Sequence, residues 1–284
     1  KTGRCNRKKS CMNVFIAGLG LIGASYAKGL KHKGYQVYGF DKDVKVCEKA
    51  LKDHVIDGYD LQDMSKANLI ILAMYPKDNV AFIKDHKTLF QNNQIITDVS
   101  GVKSKMVLDI VYELDQNVFY TSHHPMAGKE KSGYDYHDEK MFEGSNFMIV
   151  PTSKTGPNDI NQLKKIGNDL NFGKIICVDA EKHDKLIAYT SQLTHILAVA
   201  LMNSNRYQET KQATGDSFYD LTRIANINEL LWTELFLTNK TFLLDEIKHF
   251  KNELNALEQA LFEHDAKKVK QILKKAKERR KSFD

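Results

Sequence analysis

The sequence predicts an α/β protein in two parts: an N-terminal doubly wound, mostly parallel sheet and an all-helical C-terminal domain. Three observations predict it. Strand-like and helix-like segments alternate through the first two-thirds of the chain. The run from Asn68 to Ala73 is almost continuously apolar, as suits a strand covered on both faces. From about Glu181 onward only helical periodicity remains.

Residues 1–11 are basic and lack the apolar stretch of a secretory signal. They precede Met12 and read as a disordered or vector-derived extension. The first domain is set at residues 12–178. Its β-rich apolar runs fall at 13–17, 36–40, 69–74, 94–99, 118–121, 147–150 and 175–178, with helical patterns such as 21–31, 44–52 and 103–113 between them. Residues 152–158 form a loop, with Asn158 or Asp159 capping the next helix. The second domain is set at residues 179–284. Apolar residues at three- and four-residue spacing predict helices over 182–205, 228–249 and 251–281, and no proline follows Pro157 to interrupt them. So much apolar helical surface with few loops predicts packing against a second copy, and hence a homodimer.

Composition sets outer bounds. A chain of 284 residues makes two domains or one large one. It is 42% hydrophobic and 27% charged, ordinary for a globular protein. No apolar run reads as long enough to span a bilayer, so no membrane association is expected. Net charge is +6, concentrated in the lysine- and arginine-rich C-terminus from Lys267 to Lys281. No aromatic residues interleave there to stack on bases, so this is read as a solvated helix face with Val269, Ile272, Leu273 and Ala276 turned inward, and no nucleic-acid partner is expected. The four cysteines, Cys5, Cys11, Cys47 and Cys177, match neither zinc spacing nor a disulfide framework, which points to a reducing cytoplasm and no metal.

The sharpest motif runs from Val14 to Gly23, where a β-forming run leads into G-x-G-x-x-G and a helix pattern. Gly18 permits the tight turn, Gly20 lets the backbone approach a pyrophosphate, and Gly23 lets the helix pack closely on its strand. The amides at the helix start, including those of Leu21 and Ile22, face the phosphates, with the positive end of the helix dipole behind them. The next strand ends in Asp41, about 20 residues on, where a ribose-binding acid belongs. A carboxylate there accepts from both ribose hydroxyls of NAD and repels the extra phosphate of NADP, a repulsion that Lys42 softens. This predicts a Rossmann-type domain with NAD as cofactor.

Four polar clusters lie outside the phosphate loop: Asp98 to Lys103, His123 to Glu130, Ser191 to His195 and Phe218 to Ala225. The first two follow predicted strands, whose carboxyl ends line the binding crevice of a parallel sheet. His195 and Arg223 come from the helical domain and would close the crevice from the other side. Taken in order, G-L-G-L-I-G, H-P-M-A-G-x-E, S-x-L-x-H and D-x-T-R-I-A resemble the prephenate and arogenate dehydrogenases of tyrosine biosynthesis, over essentially all of Met12 to Asp284.

That resemblance implies a helical dimerisation domain. It implies NAD-dependent oxidative decarboxylation of prephenate to 4-hydroxyphenylpyruvate, or of arogenate to tyrosine. It assigns His124 as the base that takes the substrate hydroxyl proton, a role a neutral imidazole suits. Arg223 would grip a substrate carboxylate bidentately, and His195 would contact the substrate from the helical side. Glu130 and Asp220 would form an ionic gate near the arginine, with Trp232 near the pocket. Ser100 is the candidate for aligning His124 and the nicotinamide. The family order after the strand aspartate is glycine then serine, whereas here it is Ser100-Gly101. His183-Asp184 reads as helix-start polar residues, and His123 as a neighbour of His124 on the opposite face of the strand end. Two alternatives stay open: another β-hydroxyacid dehydrogenase, where a lysine base is expected but Gln192 and His195 stand, and a non-catalytic NAD-binding sensor.

Overall fold

The computed structural model describes residues 12–283, so the extension read at 1–11 lies outside the described residues. A five-stranded parallel sheet in the order β2-β1-β3-β4-β5 forms the centre of the first domain. Its strands are β1 (Asn13–Ala17), β2 (Gln36–Phe40), β3 (Leu69–Leu72), β4 (Ile95–Asp98) and β5 (Phe119–Tyr120). Helices α1 (Leu21–His32), α2 (Val44–Lys52), α3 (Pro76–His86) and α4 (Ser104–Glu113) connect or flank them. Strand order reverses between β1 and β3, and the crevice outside that point is where ligands enter an open α/β sheet. Side chains alternate across β1. Val14 and Ile16 join one core with Leu30, Val37 and Phe147, while Phe15 and Ala17 join a second with Ile70, Phe82 and Ile96. Each of these buried valine, leucine, isoleucine and phenylalanine side chains contributes about 1.5–3 kcal/mol of transfer free energy.

The single sheet expected from the apolar runs is corrected to two. After β5 the chain leaves the parallel sheet and forms β6 (Ser122–Pro125), which pairs antiparallel with β7 (Phe147–Val150), and β7 pairs parallel with β8 (Ile175–Cys177). Thr121 is the pivot. Its amide still bonds the Ile96 carbonyl at 3.1 Å, while its hydroxyl is held by Asp159 at 2.8 Å and Thr155 at 2.9 Å. Strand β6 reads S-H-H-P and carries no apolar signal. Asn158 occupies the N-cap of α5 (Asp159–Asp169) but its side chain makes no cap bond, and the Asp159 carboxylate instead receives the Gly156 amide at 3.0 Å.

In the second domain α6 (Ala180–Ile187), a π turn (Ala188–Gln192) and α7 (Leu193–Asn203) form one continuous helical run. This 24-residue run corrects the reading that no segment is long and apolar enough to cross a membrane: by length and composition alone it is, with 28% of its apolar window buried. Short α8 (Asp216–Thr222) follows, then α9 (Glu229–Thr238), α10 (Lys240–Phe262) and α11 (Ala266–Lys281). Breaks occur without proline. At Asn239 the side-chain amide donates to the Asp184 carbonyl and to Gln192 Oε1, at 2.9 and 2.7 Å. The break expected near 250 falls instead at 263–265, where His264 takes a positive φ of 53° and Asp265 caps the Lys268 amide. The inward reading of α11 is corrected too. Val269 and Ile272 are half-buried, but Leu273 is 59% exposed and Ala276 is exposed within the single chain.

Candidate active site

The glycine loop turns at the carboxyl end of β1. Gly18 holds φ at +93°, and a β-carbon there would meet the Ala73 carbonyl oxygen at 2.7 Å. A β-carbon on Gly23 would fall 1.8 Å from the Gly18 carbonyl oxygen, so only glycine lets α1 start this close to the strand. Gly20 faces open space, as a backbone meant to approach a phosphate must. It is also the N-cap of α1 and has no side chain to satisfy the first turn. The amides of Leu21, Ile22 and Gly23 therefore lack intrahelical partners and stand at the positive end of the dipole. At the end of β2, Asp41 receives the Leu19 amide at 2.9 Å and the Asp43 amide at 3.0 Å, on different oxygens. An open glycine, free amides and a carboxylate fastened beside them fit a dinucleotide, pyrophosphate on the helix and ribose on the acid.

Strand alternation separates the two histidines of β6. His123 is fully buried between Tyr26 Oη at 2.8 Å and Thr97 Oγ1 at 2.6 Å. Burial, reinforced by the nearby Lys103 ammonium, pushes its pKa down to about 3. Beneath it lies a buried ion pair, Lys103 Nζ to Asp98 Oδ1 at 2.7 Å, with Lys103 also donating to the His123 carbonyl at 2.6 Å. Burial alone would raise the Asp98 pKa, but the Lys103 charge and the donors on Lys103, Ser122 and Tyr120 outweigh it and keep the carboxyl ionised.

His124 points the other way. Its Nδ1 lies 2.9 Å from His183 Nε2, and His183 Nδ1 lies 2.8 Å from Asp184 Oδ1. Burial, then His183, Lys103 and His123, hold the His124 pKa well below the ordinary histidine value, so it is neutral at pH 7. Among the described residues its Nε2 makes no hydrogen bond. Ser100 does not reach it: the Ser100 hydroxyl accepts from Asn79 Nδ2 at 2.9 Å, and its amide bonds Asp98. The Ser100 hydroxyl is thus engaged with Asn79 and not with the His124 ring. Gly101 is the neighbour of the ring, with a β-carbon there 3.8 Å from His124 Cε1.

The helical domain covers this floor. Helix α9 is tied to the start of α3 by Asn228 Nδ2 to Tyr75 Oη at 3.1 Å and by the Lys77 amide to Glu234 at 2.8 Å. Its Leu235 sits over Gly101, and Gln192 donates to the Leu235 carbonyl at 3.1 Å. The His195 ring lies against Trp232, with centroids 3.7 Å apart and planes tilted by 30°, and bonds the Ser191 carbonyl through Nδ1 at 2.8 Å, which leaves Nε2 as its acceptor. Burial lowers its pKa against the opposing pull of the Ser191 carbonyl and Glu130. Arg223 pairs with Glu130 across the two domains. Asp220 forms no ion pair with Arg223 among the described residues, so of the two acids expected at the gate only Glu130 meets the arginine.

Sequence reading missed His183 and Asp184, which it took for polar residues at a helix start. Both are buried and face the sheet with Ile187. The signal was their shared stripe with Ile187 and Ala188 at helical spacing. It also left out Asn79, the partner of Ser100.

A phosphate-binding glycine loop at a sheet's switch point, a neutral histidine on the crevice floor and an arginine carried over it by a helical domain define a two-domain, dinucleotide-dependent dehydrogenase. The chain belongs to the prephenate dehydrogenase family. The family models "Prephenate dehydrogenase, nucleotide-binding domain" and "Prephenate dehydrogenase, dimerization domain" match residues 26–176 and 179–275. The prephenate dehydrogenase of Lactococcus lactis is 30% identical over 283 residues, covering 95% of this chain and 77% of the relative. That of Bacillus subtilis is 28% identical over 281 residues, covering 94% and 75%. Among solved structures, prephenate dehydrogenase from A. aeolicus in complex with hydroxyphenyl propionate and NAD+ superposes with a TM-score of 0.88 at 28% identity, covering 98% of this chain and all of that one.

Proposed function

We propose that this protein is an NAD-dependent prephenate dehydrogenase that oxidatively decarboxylates prephenate to 4-hydroxyphenylpyruvate in tyrosine biosynthesis. The observation that carries it is the unengaged Nε2 of a neutral His124 beside Gly101, on the floor of a crevice whose far side bears Arg223 and His195. The relatives named prephenate dehydrogenase, and the A. aeolicus protein solved with NAD+, support the same substrate and cofactor.

Bound NAD supplies the hydride acceptor. His124 Nε2 takes the proton of the ring hydroxyl as the carbinol carbon gives up its hydride. The ring carboxylate then leaves as carbon dioxide. Its electron pair passes through the ring to the oxygen, which recovers the proton from His124 as the ring becomes aromatic. Arg223, already poised by Glu130, binds a substrate carboxylate through its planar fork. His195, packed against Trp232, offers Nε2 from the helical side. Leu235 and the apolar face of α9 exclude water from the reacting carbon. Asp220, exposed on α8, is left as the outer acid of the gate.

The boundary between the domains is taken at 178/179, between β8 and the Asp179 cap of α6. The exposed apolar side chains of the helical domain, including Leu230, Leu237, Leu244, Leu254 and Phe262, support a homodimer through that domain, as does the match to a dimerization-domain family model. The free thiols of Cys47 and Cys177 support a reducing, cytoplasmic setting.

The test is NADH formation by the purified protein with prephenate and, separately, arogenate, each with NAD and with NADP. Turnover of prephenate with NAD is the expected result. Turnover of arogenate alone replaces the substrate with its amino counterpart. This second reading is favoured by the similarity, at 29% identity over 266 residues, to the cyclohexadienyl dehydrogenase of Zymomonas mobilis. NAD binding without turnover of either would overturn the proposal.

A further inference from the structure

The chain Asp184–His183–His124 has a property that follows from hydrogen-bond polarity alone. The Asp184 carboxyl stays ionised: burial opposes the charge, but His183 and the hydroxyl and amide of Ser104 outweigh it. An ionised carboxylate only accepts, so His183 Nδ1 carries the proton that bonds it at 2.8 Å. Burial keeps His183 neutral despite that carboxylate, so its Nε2 holds a lone pair. The 2.9 Å contact to His124 then requires the proton on His124 Nδ1. With Nδ1 committed, a neutral His124 has one lone pair left, on Nε2, the nitrogen free of protein partners.

We propose that His183, oriented by Asp184, is the positioning residue that fixes the tautomer of His124 and turns its basic nitrogen toward the substrate. This rests on the reading of His124 as the base. His183 touches neither substrate nor cofactor. Its effect is to make His124 an acceptor at the one position where a hydroxyl proton must go. It also stabilises the imidazolium that forms there, through a hydrogen bond strengthened when the donor becomes charged. Only one proton moves, on and off Nε2, and the proton on Nδ1 stays in place. The other charged and titratable groups around the pair are Lys103 and Asp98 beneath it and His123 on the same strand, while α9 contributes the apolar Leu235 beside Gly101. Asp184 has a second duty, since its two oxygens also take the amides of Lys103 and Ser104 at 2.8 and 2.7 Å and so pin the start of α4. His183 has no duty of that kind, which makes it the residue to change.

The experiment reads the tautomer directly, by nitrogen NMR of histidine-labelled protein, in the native chain and in His183→Phe and His183→Gln. Phenylalanine keeps ring volume and removes both nitrogens, whereas the glutamine amide oxygen can replace Nε2 as an acceptor. The native protein is expected to show Nδ1–H on His124, H183F to lose it, and H183Q to retain it. In steady state, H183F is expected to lower kcat by roughly 10- to 1,000-fold, between loss of orientation and loss of the base itself. Its KM for prephenate and Kd for NAD should change by less than about twofold. The acid limb of its kcat/KM profile should move to lower pH, because the imidazolium has lost an acceptor. H183Q should recover most of kcat.

Nε2–H on His124 in the native protein overturns the proposal, as does an H183F enzyme with native kcat, tautomer and acid limb. Equal losses in both variants with an unmoved acid limb would reduce His183 to a packing role and also overturn it. If H183F does not fold, the native and H183Q spectra decide. If the protein turns over neither substrate, the tautomer still decides this inference, and the failure belongs to the substrate assignment.

Discussion

The Leu19 amide donates to the Asp41 carboxylate at 2.9 Å, so the acid at the end of β2 is fastened to the glycine loop it serves. Its other oxygen holds the Asp43 amide at the start of α2. One carboxylate therefore shapes the glycine loop and is the candidate acid for the ribose. Asp41→Asn separates these jobs, keeping an acceptor for Leu19 while removing the charge. Asp41→Ala is expected to weaken NAD binding about tenfold or more, about 1.4 kcal/mol, and to narrow the gap to NADP. Asp41→Asn should narrow the gap with a smaller loss for NAD. Fluorescence titration with both cofactors checks this, and an unchanged NAD-to-NADP ratio in both variants would exclude Asp41 from cofactor choice.

His124→Asn removes the proposed base while keeping a polar side chain at the floor. Turnover is expected to fall by about two to four orders of magnitude, the range for a general acid–base group, with NAD affinity little changed. Stopped-flow NADH formation reads the step, and near-normal turnover would remove His124 from the mechanism.

The Arg223–Glu130 pair joins the two domains, but its side chains are 63% and 32% exposed. Such a pair contributes only about 0–1 kcal/mol to folding. Arg223→Ala should therefore leave Tm nearly unchanged while raising KM for the substrate roughly 10- to 100-fold, the equivalent of about 1.5–3 kcal/mol for hydrogen bonds to a charged group. A fall in Tm with KM intact would instead mark the pair as structural.

Gly101 has φ outside the left-handed region, and a β-carbon there meets Leu235 and His124 only at ordinary contact distances, 3.6 and 3.8 Å. Gly101→Ser should fold normally and bring a hydroxyl beside the His124 ring. The expected result is turnover at least equal to native, with the pH profile displaced by the new hydrogen bond. A Tm drop of several degrees would show that the β-carbon does not fit.

His123 links stability to pH. Its pKa in the folded chain is about 3, below the ordinary 6.5, so the folded state binds fewer protons than the unfolded one between those values. The stability that goes with neutral His123 is present above about pH 6.5 and is lost as pH falls toward 3. Asp98 and Asp184, held below their ordinary values, act in the same direction at the acid end. Urea midpoints should be flat from pH 7 to 8 and decline below about 6.5, and His123→Gln should shallow that decline. A midpoint independent of pH down to about 4 would contradict a buried neutral His123.

The phosphate loop was legible in the sequence because its chemistry is local. Gly18, Gly20 and Gly23 are demanded by contacts within a strand, a turn and the first turn of a helix, and Asp41 follows one strand later. His124, Arg223, Glu130 and His195 were legible as motifs, yet their partners were not. Arg223 and Glu130 are 93 residues apart in the chain, and nothing in either segment announces that these two meet. Strand β6 escaped notice because its residues are polar, and its pairing partner lies beyond a long connection.

By itself, then, the sequence determined the alternation of elements, the helical second domain and the glycine turn after β1, since periodicity and glycine geometry act over a few residues. Tertiary structure alone decided where the sheet divides, which acid meets Arg223 and what backs His124. The π turn at 188–192 shows why. An unbroken α-helix would set His183 and His195 about 120° apart, and the extra residue absorbed by a π turn brings them to within about 20°. That insertion is stabilised by packing against Leu235 and Asn239 on other helices, contacts between residues more than 40 positions apart. Hydrogen-bond polarity then runs from Asp184 to His124 only because those helices and β6 have come together.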